Sequence, residues 1–202
     1  AEEIISKIRI GGVIGRGGAG FPTCAKLHGG IKANIETLII NGMECEPRIT
    51  CDDRLMRERA IEIIAGVEIL DHLLHPNSIK IGVEDNKPEA ILALEIAATS
   101  STSSIEIITT PTLYPSGGER QLIQLLTGKE VPSGTLPSAI GVVCQNVATV
   151  AALYHALLER PLTHRVVTVT GDGVESAGNY SVPIGIPIDR SEERRVGKEC
   201  RS

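Results

Sequence analysis

The sequence predicts an α/β fold in which a parallel sheet is flanked by helices. Three observations carry this. Short aliphatic runs alternate four times with segments of helical periodicity, the pattern of βαβ units. Hydrophobic residues make up 42% of the chain but aromatic ones only 2%, with no Trp. A core built from Ile, Leu and Val suits strands buried on both faces. Polar loops follow the aliphatic runs at three places, where an open parallel sheet gathers its ligand crevice.

Residues 1–14 are mixed, and Ile4–Ile10 reads as a short helix or an entry strand. Next comes Gly15-Arg16-Gly17-Gly18-Ala19-Gly20-Phe21-Pro22-Thr23-Cys24-Ala25-Lys26. Four glycines in six residues let the backbone turn sharply and approach a ligand closely. Pro22 fits the first turn of a helix, which Thr23–Leu27 continues. A glycine loop opening onto a helix N-terminus is an anion site, and Lys26 adds a mobile cation suited to a phosphate. Gly15, Gly17 and Gly20 match G-x-G-x-x-G, which alone fits a mobile glycine loop equally well. No Gly-Lys-Ser/Thr closes the stretch, so it is not a P-loop.

Thr37–Asn41 is a short apolar run and reads as a buried strand, followed by the loop Asn41-Gly42-Met43-Glu44-Cys45-Glu46-Pro47. A long helix is predicted from Met56, Ala60, Ile63, Ile64, Val67 and Leu70, with Thr50 and Asp53 as its start signal. His72 and His75 lie at its end, where the helix dipole favours solvated histidines over a metal pair. Ile79–Glu84 is the next strand. Asn86 then caps a helix over Lys87–Ala98, with Pro88 in its first turn. After a Ser/Thr linker, Ile105–Thr109 is a third strand. A second glycine turn, Tyr114-Pro115-Ser116-Gly117-Gly118-Glu119, opens another helix. Ile140–Val143 is a fourth strand; it ends in Gln145-Asn146 and enters an Ala-rich helix reaching Glu159. Arg165–Thr170 starts a further strand.

At 202 residues the chain holds one good-sized domain and part of another. Its formal charge of −5 argues against a nucleic-acid surface. No apolar run reaches the ~18 residues of a membrane span, and no signal peptide is visible. The chain opens on Ala1 and not on Met, which predicts a piece of a longer protein. Cys24, Cys45, Cys51, Cys144 and Cys200 form no C-x-x-C, so neither a zinc ribbon nor a local iron–sulfur cluster is supported. Such scattered cysteines imply a reducing compartment.

Gly15–Lys26, Asn41–Pro47, Asp53-Arg54, Tyr114–Glu119 and Gln145-Asn146-Val147-Ala148-Thr149 occur in an order that resembles the superfamily of the complex I FMN- and NADH-binding flavoprotein. The C subunits of Rnf (Rsx) electron transport complexes are the closer likeness. Glu44–Pro47, Asp52–Arg57, Glu84-Asp85-Asn86-Lys87-Pro88, Tyr114–Glu119 and Val131-Pro132-Ser133-Gly134 all look like that family, and the likeness extends to about Ile188.

The resemblance implies a Rossmann-like FMN/NADH-binding domain over residues 1–164 and the truncated start of a β-grasp (SLBB) domain over 165–189. It implies that Gly15, Gly17, Gly18 and Lys26 hold the FMN phosphate and ribityl chain, with Arg16 beside them. Asn41, Glu44, Gly117, Gly118, Glu119, Asn146 and Thr149 would line the flavin. Glu46 and Phe21 would face NADH, with Tyr114 at the ring. Arg16 departs from the apolar residue usual in the Rnf family and agrees with the complex I flavoprotein. Met43, Cys45, Gly118 and Gln145 depart from complex I and agree with Rnf. Clusters of the 4Fe–4S type would be encoded beyond this segment.

Residues 190–202 resemble a translated sequencing adapter and are set aside as a non-native tail. The implied function is electron transfer from NADH through FMN to 4Fe–4S clusters. The setting would be an ion-translocating, membrane-bound NADH:ferredoxin oxidoreductase. The chain would lie on the cytoplasmic side of the inner membrane, held by partner subunits, with ferredoxin an indirect partner. Two rivals stand beside this. One is a flavin-less relative like the A subunit of the sodium-translocating quinone reductase, which the intact glycine loop and Lys26 oppose. The other is a plain NAD-dependent dehydrogenase, which needs an acid where Asn41 ends its strand. Glu44 and Glu46 either hydrogen-bond loop amides or form an acidic rim that repels the 2′-phosphate of NADPH.

Overall fold

A computed structural model describes residues 1–187. The tail at 190–202, Cys200 and the last two residues of the expected β-grasp segment lie outside the described residues. The chain runs α1 (Glu2–Ile10), α2 (Thr23–Lys32), β1 (Thr37–Gly42), α3 (Cys51–Leu74), β2 (Ser78–Glu84), α4 (Pro88–Ala98), β3 (Ile105–Thr110) and α5 (Glu119–Thr127). A 3₁₀ turn (Pro137–Ile140), β4 (Val142–Asn146), α6 (Val147–Leu157), β5 (His164–Val169) and β6 (Gly178–Pro183) follow.

Four strands form a parallel sheet in the order β3-β2-β1-β4. Successive residues of β1 feed opposite cores because strand side chains alternate. Leu38 and Ile40 join the larger core with α1, α2, α3, α4 and α6, and Ile39 joins the smaller one with α5 residues Leu122, Ile123 and Leu126. All three β1 side chains are fully buried, so the run is continuously aliphatic, as a sheet covered on both faces requires.

The chain leaves β1 toward β2 and β3 on one side, then returns to lay β4 on the other. The carboxyl ends of β1 and β4 therefore diverge in their onward connections, which is where an open α/β sheet binds ligands. Asn41 and Asn146 face each other in register at this point. β5 and β6 form a separate antiparallel pair. It is tied to the α/β part by Thr50 N–H donating to Thr168 Oγ1 (3.1 Å) and by Asn179 Nδ2 donating to the Thr50 carbonyl (3.0 Å).

Several boundaries differ from the expectation. The mixed N-terminus is a helix, anchored through Ile5 and Ile8. The fourth strand begins at Val142, because Pro137–Ile140 winds into a 3₁₀ turn closed by Gly141 at φ 73°. The Ala-rich helix ends at Leu157, two residues short of Glu159. Lys87, not Asn86, is the N-cap of α4, and the Asn86 side chain instead accepts from Lys87 Nζ (3.1 Å). Pro22 stands at the N-cap of α2 and not inside it.

Candidate functional site

The glycine loop does not follow a strand of the sheet. It is a closed loop after α1, pinched by an antiparallel bridge between Ile14 and Pro22 and by Gly15 N–H donating to the Phe21 carbonyl (2.8 Å). The G-x-G-x-x-G spacing is therefore no dinucleotide fingerprint, which requires a strand before the first glycine. Gly18 and Gly20 take φ of 107° and 62°, a region that side chains with a Cβ disfavour. Arg16 N–H donates to Thr149 Oγ1 (2.9 Å), so the loop rests on the first turn of α6. The N–H groups of Gly17 and Gly18 have no protein partner among the described residues.

This loop walls a cavity of about 230 Å³ at the ends of β1 and β4. Arg16, Gly17 and Gly18 line one side, and Asn41, Met43, Glu44 and Glu46 come from the loop after β1. Gly117 enters from the second glycine turn, and Asn146 with Ala148 from the start of α6. Asn146 Oδ1 accepts from the Ala148 and Thr149 amides at 2.9 and 3.3 Å, capping α6. Its Nδ2 donates to Asp52 Oδ2 at 2.6 Å. Asn41 Nδ2 donates to the Gly117 carbonyl (2.9 Å) while its Oδ1 receives the Met43 amide (3.0 Å). The second turn needs glycine for closeness: a Cβ on Gly117 would lie 3.1 Å from both Cys45 Sγ and the Met43 carbonyl.

Of the residues expected at the site, Arg16, Gly17, Gly18, Asn41, Glu44, Glu46, Gly117 and Asn146 are brought together. Gly15 forms the loop neck, and Thr149 is buried beneath Arg16. Phe21 and Tyr114 are exposed, and neither is part of the cavity wall. Gly118 is the N-cap of α5. The expected free cation at Lys26 is instead a tie. Its Nζ donates to Glu119 Oε1 (2.5 Å) and to the Cys144 carbonyl (2.6 Å), joining α2, α5 and β4. Glu119 is thereby occupied as well, and neither residue walls the cavity.

Glu44 turns out to hydrogen-bond amides. It is 6% exposed, and its two oxygens accept from the Asp52 and Asp53 amides at 2.7 and 3.0 Å, capping the start of α3 from a distance in sequence. Glu46 is exposed at the cavity wall and keeps its carboxylate available.

Asp52, Cys51, Leu55, Ile49, Arg165 and Val166 also line the cavity, and sequence reasoning left them out. Asp52 had a signal, since Asp52–Arg57 is one of the stretches carrying the family likeness. Loss of hydration pushes the Asp52 carboxyl up to about 6 against the pull of its Asn146 hydrogen bond, and neighbouring Glu44 adds to the rise. The Cys51 thiol is driven up to about 12, by lost hydration first and then by Asp52 and Glu44. Arg16 lies below the ordinary guanidinium value through burial and the nearby Arg165 cation. Glu44, Cys51 and Asp52 lie close enough to share a metal. Glu44 is committed to helix amides, however, and the Cys51 thiol stays protonated.

Comparison with known proteins bears on what fills this cavity. A family model described as the Nuo51 FMN-binding domain matches residues 8–155. The chain belongs to this FMN-binding family. It is 54% identical over 188 residues to the C subunit of the ion-translocating oxidoreductase complex of Pectobacterium atrosepticum, covering 93% of this chain and 27% of that protein. It is 55% identical to the protein of the same name in Pasteurella multocida, covering 93% of this chain and 22% of that one. The chain thus spans about a quarter of the length of these relatives. The fold also matches a crystal structure of NAD+-reducing [NiFe]-hydrogenase in the H2-reduced state, with a TM-score of 0.82 and 23% identity, covering 94% of this chain and 38% of that one.

The residues present fit FMN. Unpartnered amides at Gly17 and Gly18 suit an anionic end, as does the Arg16 guanidinium. Asn41, Asn146 and the polar backbone of the Met43–Glu46 loop offer donors and acceptors for a polar ring edge.

Proposed function

We propose that this chain is the flavin- and nicotinamide-binding part of an electron-transfer protein in an ion-translocating oxidoreductase complex. The observation that carries this is the cavity at the divergence of β1 and β4, walled by a glycine loop with unpartnered amides. The likeness to the C subunits of ion-translocating oxidoreductase complexes supports the setting. Bound FMN would supply hydride acceptance from NADH and release of single electrons. The protein orients and binds. Gly17, Gly18 and Arg16 hold the anionic end, while Asn41 and Asn146 fix the walls that position the ring. Electrons would leave toward 4Fe–4S clusters carried elsewhere in the full-length protein, and onward to ferredoxin through partner subunits. No helix among the described residues is long and apolar enough to cross a membrane. Peripheral attachment on the cytoplasmic side through those subunits fits this reading.

Purified full-length protein should carry about one FMN that is bleached by NADH. Colourless protein that takes up no FMN would support the flavin-less rival instead. Glu46 is the cavity acid free to meet the nicotinamide cofactor. Glu46→Gln should raise the NADPH/NADH rate ratio at least tenfold, a change that needs only ~1.4 kcal/mol. Glu44→Gln should leave that ratio alone, since Glu44 is committed to the start of α3. An unchanged ratio in Glu46→Gln removes the acid from cofactor choice.

A further inference from the structure

The β5–β6 hairpin reaches into the cavity, although the sequence assigns it to a different unit. Arg165 and Val166 of β5 line the cavity beside Arg16. The two arginines are interlocked. Arg165 Nη2 donates to the Arg16 carbonyl (3.1 Å), and Arg16 Nη2 reaches back toward the His164 carbonyl (3.5 Å). A second cavity of about 200 Å³ shares Arg16, Leu55 and Val166 with the first and is walled by His164 and Ser181 of the same hairpin. The hairpin therefore forms one wall of two adjoining cavities.

Two guanidinium groups held together repel each other, and Arg165 adds to the burial that lowers Arg16's preference for its charge. Such a pair persists where something negative offsets it. The acids lining the cavity with it are Asp52, Glu44 and Glu46. Glu44 is held by the α3 amides, and Asp52, bonded to Asn146, interacts electrostatically with both arginines. Glu46 is exposed on the loop after β1. Among the described residues, neither guanidinium is in an ion pair with these acids. Arg16, Arg165 and the bare Gly17 and Gly18 amides are the positive groups of this cavity, and a phosphate monoester of charge near −2 is their natural complement.

Resting on the flavin reading above, we infer that the hairpin is a working wall of the flavin site and that Arg165, paired with Arg16, contacts the phosphate of FMN. Arg165 thereby selects phosphorylated flavin over riboflavin. It also links occupancy of the cavity to docking of the hairpin on the α/β domain.

The test is flavin fluorescence quenching in the apo full-length protein, titrated with FMN and with riboflavin. Arg165→Gln should weaken FMN binding at least tenfold and change riboflavin affinity less than threefold. Arg165→Lys should fall between Arg165→Gln and the parent protein. Thr168→Ala loosens the hairpin's other attachment while keeping the Arg165 charge, so it should weaken FMN more than riboflavin, in the direction of Arg165→Gln but by less. Unchanged FMN affinity in Arg165→Gln, or equal losses for FMN and riboflavin, overturns the phosphate contact while the flavin reading stands. A parent protein that binds neither flavin overturns both.

Discussion

Two lysine–glutamate pairs lie outside the cavity lining, and the same chemistry does different work in each. Lys87 and Glu84 are 7% and 0% exposed at the side chain, whereas Lys26 and Glu119 are 28% and 40% exposed. Lys87 Nζ binds Glu84, and it also donates to the Glu44 carbonyl (3.3 Å). Glu84 in turn accepts the Glu44 amide (3.3 Å). The buried pair therefore grips the backbone of the very residue that caps α3 and lines the cavity. The outer pair ties three elements together behind the site. Position in the chain drew attention to Lys26, which follows the glycine loop, but burial gives Lys87 the larger energetic role. Breaking a buried pair leaves a charge without water or partner, while an exposed partner can be rehydrated.

The largest expected effect follows from that contrast. Lys87→Met leaves the Glu84 carboxyl buried without its ion-pair partner, with its second oxygen already lacking a hydrogen bond. It should destabilise the α/β domain by ~3–5 kcal/mol, read as lost hydrogen-exchange protection in β1 and β2. A loss below ~1 kcal/mol would erase the distinction between the two pairs.

Asp52 is intermediate, a half-buried acid with a hydrogen bond but no ion pair among the described residues. Its carboxyl titrates near 6, above the ordinary 3.8, because burial disfavours the charge. The folded state then binds the proton more tightly than the unfolded state. Its favourable contribution is complete below about pH 4 and is lost as pH rises through about 6. Asp52→Asn keeps an acceptor for Asn146 and removes the titration. It should stabilise the protein by ~1–2 kcal/mol above pH 7 and flatten the stability profile between pH ~4 and ~6. Denaturant midpoints across that range would show it, and an unchanged profile would mean the carboxyl is fully hydrated.

Lys26→Met should have the smallest effect, ~1 kcal/mol, because Glu119 can turn to solvent. Its cost should shrink in 1 M salt, whereas that of Lys87→Met should not. A further sharpening uses flavin. If Lys26 is a tie, Lys26→Met weakens FMN and riboflavin alike. A loss confined to FMN would restore Lys26 as a phosphate contact and would show that its bond to Glu119 opens on binding.

Local pattern alone determined much of this protein. The aliphatic run at Thr37–Asn41 announced a strand buried on both faces, and the runs at Ile79–Glu84 and Ile105–Thr109 announced its parallel neighbours, the last of them a half-buried edge strand. The gathering of Gly17, Gly18, Asn41, Glu44, Glu46, Gly117 and Asn146 was legible from loops that each follow a strand or meet a helix start. Tertiary structure decided which charges were free. Lys26 and Glu119 read as ligand groups, yet they are joined to each other across 93 positions of sequence, and of the two roles open to Glu44 the fold takes the amide-bonding one. Arg165 lay beyond reach for the converse reason. It belongs to a hairpin whose strands pair with each other, and docking on Thr50 together with bonds to Arg16 brings that hairpin against the glycine loop. A sequence states which groups can ionise; the fold sets the water and the counter-charges around them, and those decide what each group can bind.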